Sequence, residues 1–276
     1  MITQESIKNF KGSIITGDEN CLYILPHKML QPFIANYTIS FPNPQTMPDE
    51  YTVLPSASST LVIDVSAGFI NGCLDGISTK ALNVGSHANK MDLLLLIEFH
   101  AGGLHPFLPV DQTELVDAFY PFKELDKKLM QTIEAELEKS KQITELIDVL
   151  DKLFIARLMN SKNTFDFSPI LKNIINHRGF IKTQNLSFPF YYSERQTRRL
   201  FLRHVGINPK MLTRIVRANY ALRLIKRGKN SYQDIMEKTG YFDQPHFIHE
   251  FKTIHGITPL EYRQNMTVFY NDETKM

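Results

Sequence analysis

The chain of 276 residues has only two cysteines, Cys21 and Cys73, and their separation fits no metal-ligand spacing. They are expected to be free buried thiols, which suits a reducing cytoplasm. No run approaches the roughly 18 apolar residues of a membrane span. The longest, residues 93–97, has the length of a strand. The opening MITQESIKNFKG lacks the basic-then-apolar build of a signal peptide. There is no Gly-rich phosphate loop and no Ser/His/Asp or Cys/His arrangement, so neither a catalytic residue nor a cofactor is expected. Glu98, His100 and His105 raise the question of a metal. Histidines beside a glycine pair are more often hydrogen-bonded or exposed, and no metal is expected there.

Acid is scarce in one part of the chain. Residues 170–265 carry 17 lysines and arginines against 6 acids, while residues 1–169 sum to −8 and the tail to −1 within an overall +2. A basic C-terminal domain joined to an acidic N-terminal one points to a polyanion partner for the former alone. An excess of eleven positive charges over this stretch favours nucleic acid over a merely solvated surface.

The length suggests two domains. Residues 1–110 read as mostly β, with strand-like pieces at 21–25, 33–40, 51–54, 60–65, 69–74 and 93–100. Turn signals separate them, among them Ala67-Gly68 and Asp75-Gly76. A barrel or sandwich is expected. Residues 111–160 change to helical periodicity without glycine. Leu125, Leu129, Ile133 and Leu137 form one stripe; Leu146, Val149, Leu150 and Leu153 form another. Such a helical pair is expected to pack on its own domain. The polar stretch NSKNTFDFS, residues 160–168, is the expected linker, giving domains at 1–160 and 168–265. From Pro169 the pattern is all helix: 169–177, 183–191, Glu194–Val205, 209 to about 227, Tyr232–Thr239, Gln244–His255 and a last helix after Thr258. The expected fold class is therefore α+β, a β-rich N-terminal domain with a helical pair followed by an all-α C-terminal domain.

One supersecondary unit is used twice in that second domain. YFDQPHFIHEFKTIHGITPLEY, from Tyr241, overlays YYSERQTRRLFLRHVGINPKML, from Tyr191, with a shift of fifty residues. Tyr191 meets Tyr241, Phe201 meets Phe251, Gly206 meets Gly256, Ile207 meets Ile257 and Pro209 meets Pro259. Ser193 and Asp243 are matching helix N-caps, and Asn208 and Thr258 cap the helices that start at the two prolines. Ser231 with Asp234, and Thr258 with Glu261, have the spacing of capping boxes. The histidines do not repeat, since His246 lies over Gln196 and His249 over Arg199. A metal site would not explain the doubling; a helix presented twice would.

On a wheel at 100° per residue, Phe247, Phe251 and Ile254 face inward in the later helix. Pro245, His249 and Thr253 face outward, flanked by His246 and Lys252. In the earlier helix Thr197, Phe201 and His204 face inward, while Arg195 and Arg199 face out with Arg198 and Arg203 beside them. A helix presented after a shorter one across a tight turn is the helix-turn-helix arrangement. Its second helix enters a major groove about 12 Å wide, where an arginine grips guanine O6 and N7. The helix between the units spans about 27 Å at 1.5 Å per residue, stiff enough to hold them about one DNA turn apart. Lys210, Arg214, Arg217, Arg223, Lys226 and Arg227 on it, with Lys252, suit phosphates rather than bases, although half of the cations on the connecting helix are expected only to keep it soluble.

Residues 168–265 thus resemble the DNA-binding domain of the AraC/XylS family of bacterial transcription regulators. The likeness is carried by GYFDQPHFIHEFKTIHGITPLEYR (240–263) and by YSERQTRRLF with GINPKML in the first unit. The resemblance implies two helix-turn-helix units on a connecting helix and double-stranded DNA as partner. By position it implies base reading by Arg195, Arg198 and Arg199 in the first unit and Pro245, His246 and His249 in the second. It further implies a small-molecule effector for the N-terminal half, a second copy of the chain and RNA polymerase as partners, no membrane, and a cytoplasmic place of work. Three features depart from the family pattern. His249 stands where arginine is usual, Pro245 removes a donor from the first turn, and NLSFPFYY with Pro189 replaces an alanine-rich second helix. Two other readings remain open: a DNA-binding fusion with a repair-like enzymatic N-terminal half, which would need a reactive cysteine, and an RNA or purely architectural binder.

Overall fold

The computed structural model describes residues 1–45, 47–162, 165–181, 193–266 and 269–270. Its N-terminal half holds strands β1 (Ile14–Gly17), β2 (Cys21–Ile24), β3 (Ile34–Ser40), β4 (Thr52–Val53), β5 (Thr60–Ser66), β6 (Phe69–Asp75), β7 (Leu82–Asn83), β8 (Leu93–Phe99) and β9 (Phe119–Pro121). Among them run helices α1 (Glu5–Lys8), α2 (Gly85–Ala88), α3 (Phe122–Leu125), α4 (Lys127–Lys139) and α5 (Ile143–Asn160). Strands in the order β1-β2-β3-β8-β5-β6-β9 make an antiparallel seven-stranded sheet. The short β4 and β7 form a second sheet with β10 (Phe269–Tyr270), which lies parallel to β4.

Alternation decides which face of the large sheet is covered. Leu61, Ile63 and Val65 of β5, Tyr37 and Ile39 of β3, and Leu95 and Ile97 of β8 are buried. They share one core with Met130, Ile133 and Leu137 of α4 and Leu146, Leu150 and Phe154 of α5. The helical pair therefore packs on its own domain, as its stripes require. The Tyr37 hydroxyl donates to Asp151 at 3.0 Å and ties β3 to α5. Asn36 and Thr38, which alternate with these, point to the opposite face and are polar. There Asn36 donates to Glu98 at 2.8 Å, and Thr38 donates to Asn36 at 2.8 Å.

Helical character starts later than the periodicity suggested. Residues 112–115 form a single 3₁₀ turn, with the Asp111 side chain accepting from the Thr113 amide, and β9 follows before α3 begins. Pro121 at the end of β9 has no amide to donate, which suits an edge strand. Two aromatic residues near the end of the polar stretch are packed. Phe167 is buried against Phe201, ring centroids 5.4 Å apart, and Phe165 stacks beside it at 4.6 Å.

The C-terminal half comprises α6 (Ser168–Asn176), α7 (Glu194–Val205), α8 (Pro209–Lys226), α9 (Tyr232–Thr239), α10 (Gln244–His255) and α11 (Pro259–Gln264). The helix expected at 183–191, with Pro189, lies outside the described residues. The expected caps are made. Ser193, Asn208, Ser231, Asp243 and Thr258 each accept a backbone N–H with the side chain. Both doubled helices stop at a left-handed glycine, Gly206 at φ +89° and Gly256 at φ +74°. A Cβ at Gly206 would stand 2.6 Å from the Gln112 carbonyl oxygen, since the 3₁₀ turn of the N-terminal half lies directly against that stop. Gly206→Ala is therefore expected to cost about 1–3 kcal/mol through backbone strain and forced separation. An unchanged urea-unfolding midpoint would contradict this.

The two halves meet along α8. The Asn219 amide, fully buried on α8, donates to the Pro55 carbonyl at 2.8 Å. Leu54 joins the core of the second unit, and Ala57, Ile77 and Ala101 join the core of the first.

Candidate nucleic-acid interface

The inward residues of the doubled helices are where their spacing put them. Phe201, Phe247, Phe251 and Ile254 are completely buried, and Thr197 and His204 nearly so. The opposite faces are solvent-exposed. Arg195, Arg198, Arg199 and Arg203 on α7 are exposed, as are Pro245, His246, His249 and Lys252 on α10. In the second unit the turn between α9 and α10 is complete. Gly240, left-handed at φ +70°, ends α9, Tyr241 is buried beneath the turn, and Asp243 caps α10 through the His246 amide at 2.7 Å. His246 lies edge-on to Tyr241, 5.4 Å between centroids.

The cations of the connecting helix divide into two groups. Arg214 donates through Nε and Nη2 to the two carboxylate oxygens of Glu250, at 2.7 and 3.1 Å. This bidentate pair fastens α8 to α10. Burial pushes the Glu250 carboxyl up, but the guanidinium outweighs it and the net shift is downward. Arg217 lies 4.9 Å above the Tyr241 ring, and Arg223 lies 5.8 Å from the centroid of Tyr220. Arg214 thus joins two helices, while Arg217 and Arg223 lie against neighbouring rings, so all three have partners within the protein. Basic side chains on a partly buried helix find internal partners that spacing does not show. Lys210, Lys226, Arg227 and Lys252 stay exposed.

A feature that sequence reasoning missed lies beside the first unit. Pro109, Val110, Asp111 and His105 of the N-terminal half face Arg195, Arg198, Arg199 and Arg203 across a cleft of about 540 Å³. The cleft is strongly basic on one wall. Residue types gave no signal for it, because its walls are some ninety residues apart.

The earlier alternatives fare differently. Burial pushes the Cys21 thiol up to about 12 and raises Cys73 as well, so neither offers a thiolate near neutral pH. Glu98 is engaged with Asn36 inside the sheet, whereas His105 stands at the domain boundary. Among the described residues no group of three or more His, Cys, Asp or Glu could hold a metal. No helix among them is long and apolar enough to cross a membrane.

Residues 189–265 match the family described as a helix-turn-helix domain. The doubled helices and their connecting rod lie within this match, so this part of the chain is a helix-turn-helix domain. The chain is 32% identical over 81 residues to the uncharacterized HTH-type transcriptional regulator YisR of Bacillus subtilis, covering 29% of this chain and 28% of the relative. It is 39% identical over 67 residues to the uncharacterized HTH-type transcriptional regulator YidL of Escherichia coli, covering 24% and 23%. The chain thus spans under a third of the length of these curated relatives. A crystal structure of ToxT from Vibrio cholerae aligns over 84% of this chain and 93% of its own, at 13% identity and a TM-score of 0.38.

Proposed function

We propose that the protein is a sequence-specific, double-stranded-DNA-binding transcription regulator working in the cytoplasm, with no enzymatic activity. The observation that carries this is the pair of exposed, non-equivalent faces on two helices locked to one rod. Arginines stand on the first face, and proline and histidines on the second. In this reading Arg195, Arg198 and Arg199 read bases from the first unit, and Pro245, His246 and His249 make weaker contacts from the second. A neutral imidazole offers one donor where an arginine offers a fork. Lys210, Lys226, Arg227 and Lys252 seat phosphates. Residues 1–160 form the sensor and dimerisation domain, 168–265 the reading domain. A small-molecule effector is supported by a second cleft of about 590 Å³, where Phe107, Leu129 and Leu153 lie near Lys128, Arg157 and Lys162. A second copy of the chain and RNA polymerase complete the proposed partners.

The test is selection of bound sites from a random duplex pool, followed by titrations with variants. Arg199→Ala is expected to relax preference at one base position by about 1–3 kcal/mol. Arg227→Ala is expected to weaken every sequence alike and to reduce the salt slope by about one unit. Equal losses on all sequences from both variants would refute the assignment.

A further inference from the structure

The basic cleft ends at a contact between the two halves that DNA reading does not use. His105, from the N-terminal loop, stacks on His204, from α7, with ring centroids 4.0 Å apart and the planes at 46°. Both are buried, at 2% and 7% exposure, and the Nδ1 of each is buried without a hydrogen-bond partner. Phe165 and Phe167 of the connecting segment flank His204 at 5.7 and 5.5 Å. The charged groups facing the pair are Arg203 on α7, which opposes a positive charge on either ring, and Asp111 on the loop, which favours one on His105. Two neutral rings fit this place. Two imidazolium ions 4 Å apart, largely buried and beside a guanidinium, do not.

We propose that this contact is a latch released by acid: protonation of the His105–His204 stack detaches the 105–112 segment from α7 and clears the flank of the first arginine-bearing helix. The geometry supplies both halves of a switch, a closed state that holds only neutral rings and an adjoining face whose access depends on it. Burial, then the neighbouring His105 and Arg203, lower His204 from 6.5 to about 4. A released ring would titrate near its ordinary value. The closed contact is therefore fully stable above pH 6.5 and weakens as pH falls towards 4. For His204 alone the opening equilibrium should rise about 30-fold between pH 8 and pH 5. The latch depends on the proposed DNA reading only for its consequence, because opening itself is measurable without DNA.

The experiment is hydrogen exchange of the full chain, free of DNA, at pH 7.5 and pH 5, corrected for intrinsic exchange. Protection of 105–116 and 194–206 should fall together by about an order of magnitude or more, while β5 and β8 keep theirs. The double variant His105→Phe with His204→Phe keeps a ring stack that cannot charge and should show no such loss. His204→Gln, neutral and smaller, serves if the phenylalanine pair does not fold and should show at least a threefold smaller response. Equal protection of the wild type at both pH values, or the same loss in the uncharged variants, would overturn the latch. Acid-induced loss of protection together with an inability to bind any duplex would support the latch and defeat the DNA reading instead.

Discussion

Phe251→Ala should destabilise the protein by about 3–5 kcal/mol, the usual cost of emptying a fully enclosed aromatic site. Phe251 sits at the centre of the second unit's core with no exposed surface. Its ring meets His255 at 4.5 Å, Phe247 at 5.9 Å and Tyr262 at 6.4 Å. Those neighbours come from α10 itself and from α11, whose start is fixed by the Thr258 and Glu261 capping box. The cavity has little means of collapse, because His255 is also fully enclosed and rigidly placed. Denaturant unfolding followed by far-ultraviolet dichroism checks this, and Phe251→Leu should recover a large part of the loss. A cost below about 1 kcal/mol for the alanine variant would mean that the second unit is not packed as described.

Glu250→Ala is expected to cost about 2–3 kcal/mol and to loosen α10 from α8. The pair is well shielded, with side-chain exposures of 29% for Arg214 and 10% for Glu250, yet not sealed from water. The expected cost therefore lies below that of breaking a fully buried pair. Removing the carboxylate takes away the acceptor of both hydrogen bonds from Arg214 Nε and Nη2. Because the Glu250 carboxyl titrates below its ordinary value, the pair's stabilisation is full above about pH 4.5 and is lost as pH drops through the depressed value. The variant's stability deficit should accordingly shrink in acid. Matched urea titrations at pH 7 and pH 3.5 measure it, and a deficit that grows in acid would sink the account. On the proposed function, the same variant should bind DNA more weakly while keeping the base preferences of the first unit. Arg195, Arg198 and Arg199 stand on α7, away from the Arg214–Glu250 pair.

Features with local physics could be read from the residues alone. The i, i+4, i+7 recurrence of Phe247, Phe251 and Ile254 identified the buried face of α10, and the same helical period put His204 and Arg199 on opposite faces of α7. Five capping side chains were legible because a cap bonds to an amide two or three residues ahead, inside the same short string. Six strands were found from apolar runs bounded by turns. The short strands β1, β7, β9 and β10 were missed, since strands of two to four residues carry little of the alternation that marks a half-buried strand. Tertiary structure alone decided which cations are spent inside the protein. Arg214 and Glu250 lie thirty-six residues apart, and only the packing of α10 on α8 brings them together. It alone also placed His105 on His204 and Asp111 near Arg203. Closing so long a loop is favourable only when many contacts form at once, and no spacing in a linear string records which contacts those are.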